Sequence, residues 1–252
     1  MDSEVFNKEY TVDFVDHWDD LINWKGRAKA ESGFFQNILK KAGAKDVADV
    51  ACGTGYHAVD LAKSGFNVVA ADGAATMIEK TRENAARHDV EFQDIVHCYW
   101  HDLPNALGEN RFDALICLGN AFTHLFEHDA RVSSLAGMFR ILKPGGLAII
   151  DHRNYDEMLD NGFSTKHEFY YTGENVEARP VVLNDKLAKF QYDFPDGTHY
   201  HLSLFPLRVN YMDELLRQAG FVDITRYGDF ETPYESSEVD FIQQVARKPA
   251  RS

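Results

Sequence analysis

Apolar residues recur along the chain in two periods, and the switches between them outline a sheet covered by helices. Residues 10–41 mix aromatics and charges at helical spacing, with Phe14, Trp18, Leu21 and Ile22 in one run and Phe34, Phe35, Ile38 and Leu39 in the next. That spacing predicts two helices. Segment 46–51 reads as a short apolar strand, after which the turn Cys52-Gly53-Thr54-Gly55 opens a helix that Gly65 ends. Further strands are predicted at 67–71, 91–98 and 112–118, with a helix at 77–87. The 112–118 run is nearly continuous in apolar residues, as strands are when both faces of a sheet are covered. A helix at 134–142 puts Leu135, Met138, Phe139 and Leu142 on one face, and the Lys143-Pro144-Gly145-Gly146 turn feeds a strand at 147–151. Strands alternating with helices predict a parallel sheet.

From about residue 155 to 205 the period changes to short alternating segments rich in Tyr, Phe and Thr, broken at Asn184-Asp185 and Asp196-Gly197. This segment is expected to form a small antiparallel insertion. Asn210 is placed to cap a helix at 211–219 that Gly220 ends, and strands at 222–227 and 241–247 follow. The whole of 1–252 reads as one α/β domain, without repeats or low-complexity linkers.

Composition narrows the partners. The formal net charge is −14, with 40 acidic against 26 basic residues, which repels phosphate backbones and anionic membrane surfaces. No nucleic-acid or membrane partner is expected. The acidic residues are spread along the chain, either as a hydrated surface suited to concentrated salt or as that of an ordinary acidic protein. Cys52, Cys98 and Cys117 form no CxxC pair and no zinc spacing, so no metal is expected. With no basic, apolar leader pattern in residues 1–10, the chain reads as cytoplasmic.

The turn in Asp49-Val50-Ala51-Cys52-Gly53-Thr54-Gly55 lacks the side chains that would keep a ligand from the backbone and from the next helix N-terminus. With Ala58 it also satisfies GxGxxG/A, so by itself it fits a nicotinamide dinucleotide as well as S-adenosylmethionine. Asp72 ends the second strand, where a carboxylate accepts ribose hydroxyls in either class or sits as a solvated turn residue. The strand ends Leu118-Gly119-Asn120-Ala121-Phe122-Thr123-His124 and Asp151-His152-Arg153-Asn154-Tyr155-Asp156 face the ligand crevice of an open α/β sheet. Arg153 there pairs with an acceptor's carboxylate or forms an internal salt bridge to Asp151 or Asp156. His124 and His152 read as hydrogen-bonding frame residues in preference to general bases, and Trp24 as a packing aromatic.

Asp49, four residues before the first loop glycine, together with the Lys-Pro-Gly-Gly turn, resembles class I S-adenosylmethionine-dependent methyltransferases and their Rossmann-like sheet. Segments 49–55, 116–124 and 151–156 further resemble glycine N-methyltransferases and the bacterial glycine/sarcosine N-methyltransferases of betaine synthesis, over about residues 10–220. The resemblance implies S-adenosyl-L-methionine as cofactor and small amino acids, glycine and sarcosine, as substrates. It implies helices of 1–42 over the cofactor and an inserted lid at 155–205. Tyr10, Trp18 and Arg27 would close over the methionine end, with Ala51 and Gly53 in the loop. Asp72 and Met77 would hold ribose and adenine, and Tyr99, Trp100, Leu118 and His124 would complete the pocket. Arg153 would meet the acceptor carboxylate, Asn120 the amine, and Tyr192 would close the site from the lid, with Tyr170, Tyr171 and Tyr200 as competing lid tyrosines. The chain departs from the family at Tyr99, where animal members have asparagine, and at Phe205, where a lid tyrosine is expected. Two alternatives stay open: a cofactor-sensing regulatory protein, and an enzyme for dimethylglycine or another carboxylate-bearing amine.

Overall fold

The computed structural model describes residues 8–165, 172–173, 175–231 and 239–250. Its centre is a seven-stranded sheet in the order β3-β2-β1-β4-β5-β10-β9. The strands are β1 (Asp46–Asp49), β2 (Asn67–Asp72), β3 (Asp94–His97), β4 (Phe112–Cys117), β5 (Leu142–Arg153), β9 (Val222–Gly228) and β10 (Phe241–Arg247). The first five run parallel, and β10 is antiparallel to both β5 and β9.

Alternation along the strands explains the uninterrupted apolar runs. Val47, Ala114, Ile116, Ile149 and Leu147 pack to one face with Phe35, Leu39 and Leu61, carried by α4 (Phe34–Lys41) and α5 (Tyr56–Lys63). Ala48, Leu115, Cys117, Ala148 and Ile150 point to the other. There they meet α7 (Leu103–Leu107), α8 (His128–Ile141) and α10 (Val209–Gln218). Both faces are covered, so polar residues have no solvated side to occupy. The connection α6 (Ala75–Arg87) joins β2 to β3.

A second, three-stranded antiparallel sheet carries β6 (Glu177–Asn184), β7 (Leu187–Asp193) and β8 (His199–Leu204). Alternate residues of β7 are buried, and Phe190 and Tyr192 join Leu202 and Leu204 in the core on that side of the main sheet. A helix, α9 (Tyr155–Asn161), precedes this sheet where only short alternating segments were expected. Its N-cap Asn154 accepts the Glu157 N–H.

Several expectations need correction. Residues 12–41 form four short helices, α1 (Val12–Asp16), α2 (Trp18–Ile22), α3 (Trp24–Glu31) and α4, in place of two. Asn23 and Ser32 take left-handed backbone angles that interrupt the helical run, which apolar spacing cannot register. Asn210 is not the cap of α10, which starts at Val209; the Val209 N–H is taken by the Asp156 carboxylate at 2.8 Å, and Asn210 accepts from Arg226. The Lys143–Gly146 turn belongs to β5 itself, entered through a register shift against β4. Lys143 there bonds Asp46 at 3.0 Å and Asp113 at 2.8 Å, tying three strands at their starting ends. The helix at 134–142 begins earlier, at His128, because Arg131 turns back onto the Leu125 and Phe126 carbonyls.

Candidate active site

Strand order reverses where β1 lies between β2 and β4, and in open α/β sheets ligands bind beyond the carboxyl ends of the strands at such a point. A cavity of about 480 Å³ lies there, within the range of small-molecule sites. Among the described residues it gathers every position that the resemblance assigned to cofactor or acceptor, the competing lid tyrosines aside. Tyr10 precedes α1, Trp18 and Arg27 come from α2 and α3, Ala51, Gly53 and Asp72 from the first βαβ unit, and Met77 from α6. Tyr99, Trp100, Leu118 and His124 follow β3 and β4, and Asn120, Arg153 and Tyr192 close one end.

The loop after β1 is held from several sides. Gly53 and Gly55 have φ of +55° and +96°, angles that a side chain resists, and a Cβ on Gly55 would lie 3.2 Å from Thr81. Thr81 donates to the Gly53 carbonyl at 2.7 Å. The Asp72 carboxylate accepts the Gly53 and Ala74 N–H groups, each at 2.9 Å, so it links the loop to the end of β2. Burial raises its pKa, and these two N–H groups oppose the rise. Two oxygens with several lone pairs still leave acceptor capacity for a diol. Trp100 donates its indole N–H to the Val50 carbonyl at 2.6 Å, and α8 fits beneath it because Gly137 has no Cβ to meet the Trp100 carbonyl.

Asp49 lies under the loop, buried, with Oδ1 on the Ala51 N–H and Oδ2 without a partner among the described residues. Desolvation raises its pKa to about 7. Over the loop, a single carboxylate clasps the N-terminal helices down. Asp19 accepts from Thr54 at 2.6 Å, Asn84 at 3.0 Å and the Trp24 indole at 3.2 Å. Trp24 stacks on His88 outside the cavity, as a packing aromatic.

The far end is built on the tips of β4 and β5. Asn120 has φ +62°, and its backbone N–H goes to Asp151 at 2.7 Å. Its side-chain oxygen accepts the Arg153 N–H at 3.0 Å, and its amide donates to the Tyr155 hydroxyl at 2.9 Å. Asn120 therefore ties the two strand ends together, and one of its lone pairs and one of its N–H groups remain for a ligand. Arg153 is 7% exposed, with its guanidinium 4.7 Å from the Phe190 ring centroid and 5.1 Å from that of Phe241. Tyr192 hydrogen-bonds the Arg153 side chain. Asp156, one expected salt-bridge alternative, is engaged by Arg208 and the Val209 N–H, and Asp151 by the Asn120 N–H.

Tyr200 stacks on Phe14 and hydrogen-bonds Asp13, bracing α1 from outside the cavity, while Tyr170 and Tyr171 lie outside the described residues. Phe205 packs under Arg131. His124 bonds the Tyr10 hydroxyl at 2.9 Å, and His152 donates from Nδ1 to the Arg153 carbonyl at 2.8 Å. Burial holds both pKa values down to about 4, so both are neutral frame residues near pH 7. Sequence reasoning missed Tyr56 and His57, which also line the cavity; their position at the start of the helix after the loop was the available signal. Among the described residues no acidic, His or Cys cluster suits a metal ion, and no helix is long and apolar enough to cross a membrane.

The family described as a methyltransferase domain matches residues 47–146, and fold and site define an S-adenosylmethionine-dependent methyltransferase of class I. A glycine/sarcosine N-methyltransferase of Aphanothece halophytica is 47% identical over 247 residues, covering 98% of this chain and 92% of that protein. The chain belongs to the glycine/sarcosine N-methyltransferase family. It is also 44% identical over its whole length to a glycine/sarcosine/dimethylglycine N-methyltransferase of Actinopolyspora halophila, of which it covers 44%. In fold it is similar to a crystal structure of an S-adenosylmethionine-dependent methyltransferase from Clostridium acetobutylicum, with a TM-score of 0.72 at 17% identity, covering 94% of this chain and 98% of that one.

Replacing Asp72 tests the cofactor end. Asp72→Ala is expected to weaken S-adenosylhomocysteine binding by about 1.5–3 kcal/mol, the usual contribution of charged hydrogen bonds, and to release the Gly53 N–H. Titration calorimetry on a folded variant measures this, and unchanged affinity removes Asp72 from the site.

Proposed function

We propose that this chain transfers methyl groups from S-adenosylmethionine to the amine of glycine and then of sarcosine, yielding dimethylglycine in the cytoplasmic synthesis of the osmolyte betaine. The observation that carries this reading is Arg153: a guanidinium almost wholly buried in the cavity that also contains the glycine loop and Asp72. Burying an arginine there is reasonable if the acceptor brings a carboxylate, which its planar fork pairs bidentately. The names of the relatives support the same acceptors. Three buried, unpaired cysteines fit a reducing compartment.

When bound, S-adenosylmethionine supplies a methyl group on a sulfonium, open to displacement by an amine lone pair. The chain's part is placement. Arg27, Tyr10 and Trp18 enclose the methionine end, Asp72 and Met77 receive ribose and adenine, and Tyr99, Trp100 and Leu118 complete the walls. Arg153 and Tyr192 fix the acceptor carboxylate, and Asn120 orients the amine. Well-oriented reactants gain about 7–11 kcal/mol, so alignment alone supplies a large share of the acceleration. The neutral state of His124 adds no second positive charge beside the sulfonium.

The test is to incubate the protein with methyl-labelled S-adenosylmethionine and a panel of amines. Label is expected in glycine and sarcosine and not in ethanolamine, which keeps the amine and lacks the carboxylate. Equal labelling of ethanolamine, or binding without any transfer, overturns the reading; the latter outcome describes a sensor of the cofactor.

A further inference from the structure

The cavity end that holds Arg27 carries more chemistry than one guanidinium. His57, in the first turn of α5, lines the cavity beside Arg27 and Tyr56. Its Nε2 lies 2.8 Å from Glu31 Oε1, and the other Glu31 oxygen accepts the Tyr56 hydroxyl at 3.3 Å. Glu31 is buried, and the Arg27 guanidinium sits 5.8 Å from the centre of the Tyr56 ring. The His57 Nδ1 makes no hydrogen bond among the described residues. With His57 protonated, Arg27 and His57 are two cationic groups lining the same cavity, with the carboxyl groups of Glu31, Asp49 and Asp60 around them.

We propose that His57, braced by Glu31, is a cofactor-binding residue that offers the methionine carboxylate a second cationic contact beside Arg27. This rests on the reading of the Arg27 end as the methionine end. Glu31 fixes the ring through Nε2 and leaves Nδ1–H as the donor toward the ligand, as an outer carboxylate commonly orients a working imidazole.

The charged groups facing His57 are Glu31 and Arg27 from α3, Asp49 from β1 and Asp60 from its own helix, while α4 presents the Phe35 ring at 5.5 Å. Burial lowers the His57 pKa, but the charge and hydrogen bond of Glu31 outweigh it and leave the pKa above 6.5. A raised pKa means that the cationic form prevails at low pH and is lost as pH rises through that pKa. Affinity for a carboxylate-bearing ligand therefore falls over the same interval.

The experiment compares two ligands by titration calorimetry from neutral to alkaline pH: S-adenosylhomocysteine, and methylthioadenosine, which lacks the amino-acid carboxylate. His57→Gln is expected to bind S-adenosylhomocysteine about tenfold more weakly or worse, as for loss of a charged hydrogen bond, and methylthioadenosine unchanged. The ligand's own amine titrates alike in both proteins, so the difference between wild type and variant isolates the protein group. That difference is expected to shrink as pH rises. Glu31→Gln is expected to move the inflection to lower pH. Equal weakening of both ligands assigns His57 a structural role, and an unchanged affinity and pH profile removes it altogether; either result overturns the proposal. Arg27→Ala separates the two readings. If it spares S-adenosylhomocysteine, the methionine end is misplaced; if it weakens that ligand selectively while His57→Gln does not, only the His57 assignment falls.

Discussion

Arg153→Ala is expected to abolish most methylation of glycine and sarcosine while leaving cofactor affinity close to that of the wild type. On the proposed reading the guanidinium serves the acceptor with Asn120 and Tyr192, while Asp72 and the glycine loop serve the cofactor. Truncating one partner of a buried, hydrogen-bonded charge pair costs about 2–5 kcal/mol. At 1.36 kcal/mol per decade, this corresponds to a loss of at least about thirtyfold in kcat/KM for the amino acid. Lysine at this position is expected to rescue poorly, because a point charge cannot reproduce the planar fork or its packing between the Phe190 and Phe241 rings. Initial rates against glycine, paired with titration of S-adenosylhomocysteine, read both halves of the expectation. Wild-type turnover in the variant would make Arg153 a structural residue and remove the argument for a carboxylate acceptor.

Dimethylglycine is expected to accumulate, because each added methyl removes an N–H and enlarges the group beneath the sulfonium. On the proposed reading the acceptor meets Asn120 and Tyr192, in a cavity that Leu202 and Leu204 also line, and none of the four is exposed. The part of the Asn120 amide left over from its bonds to Arg153 and Tyr155 is the acceptor that loses its donor. An unpaired buried acceptor costs about 1–3 kcal/mol, and overpacking about 1–3 kcal/mol more. Together, roughly 2–6 kcal/mol slows the third methylation by at least about thirtyfold relative to the first. Sarcosine retains one N–H and is expected to lose less. The Actinopolyspora relative is named for dimethylglycine as well, but more than half of that protein lies outside the match, so its third acceptor does not transfer to the matched part. A mass-spectrometric time course with each acceptor decides: betaine appearing from dimethylglycine as fast as sarcosine appears from glycine would sink the expectation.

Much of this was legible in the chain because its signals are local. A glycine turn after an apolar strand, an acidic residue closing the next strand and a continuous apolar run at 112–118 each depend on neighbours in sequence. The site residues converge because parallel strands all deliver their carboxyl ends to one edge, so reading strand ends amounts to reading the crevice. Other features depend on partners that spacing cannot reveal. Asn210 looks like a cap, yet the N–H at the start of α10 is met by Asp156, a residue more than fifty positions earlier. Asn120 looks like a substrate contact, and much of its side chain is already engaged in joining β4 to β5. His57 looks like any residue in a helix until Glu31 is placed beside it by the fold. Among the lid tyrosines, Tyr192 and Tyr200 are cross-strand partners on one face of the small sheet, so alternation does not separate them; the fold does, by placing Tyr192 on the central strand at the cavity and Tyr200 on the edge strand against Phe14.

The Asp19 clasp and its companions also impose an order on assembly. The helices over the cavity are synthesised before almost everything that holds them. Asp19 waits for Thr54 and Asn84, His17 for Asp196, Asp13 for Tyr200 and Glu9 for the Ser203 N–H. Synthesis proceeds at about 5–20 residues per second, so this segment spends on the order of ten seconds or more without its final partners. The sheet can condense before then, around the local βα units. The cavity is therefore completed only after β8 has been made, and a nascent chain cannot fully enclose the cofactor before then.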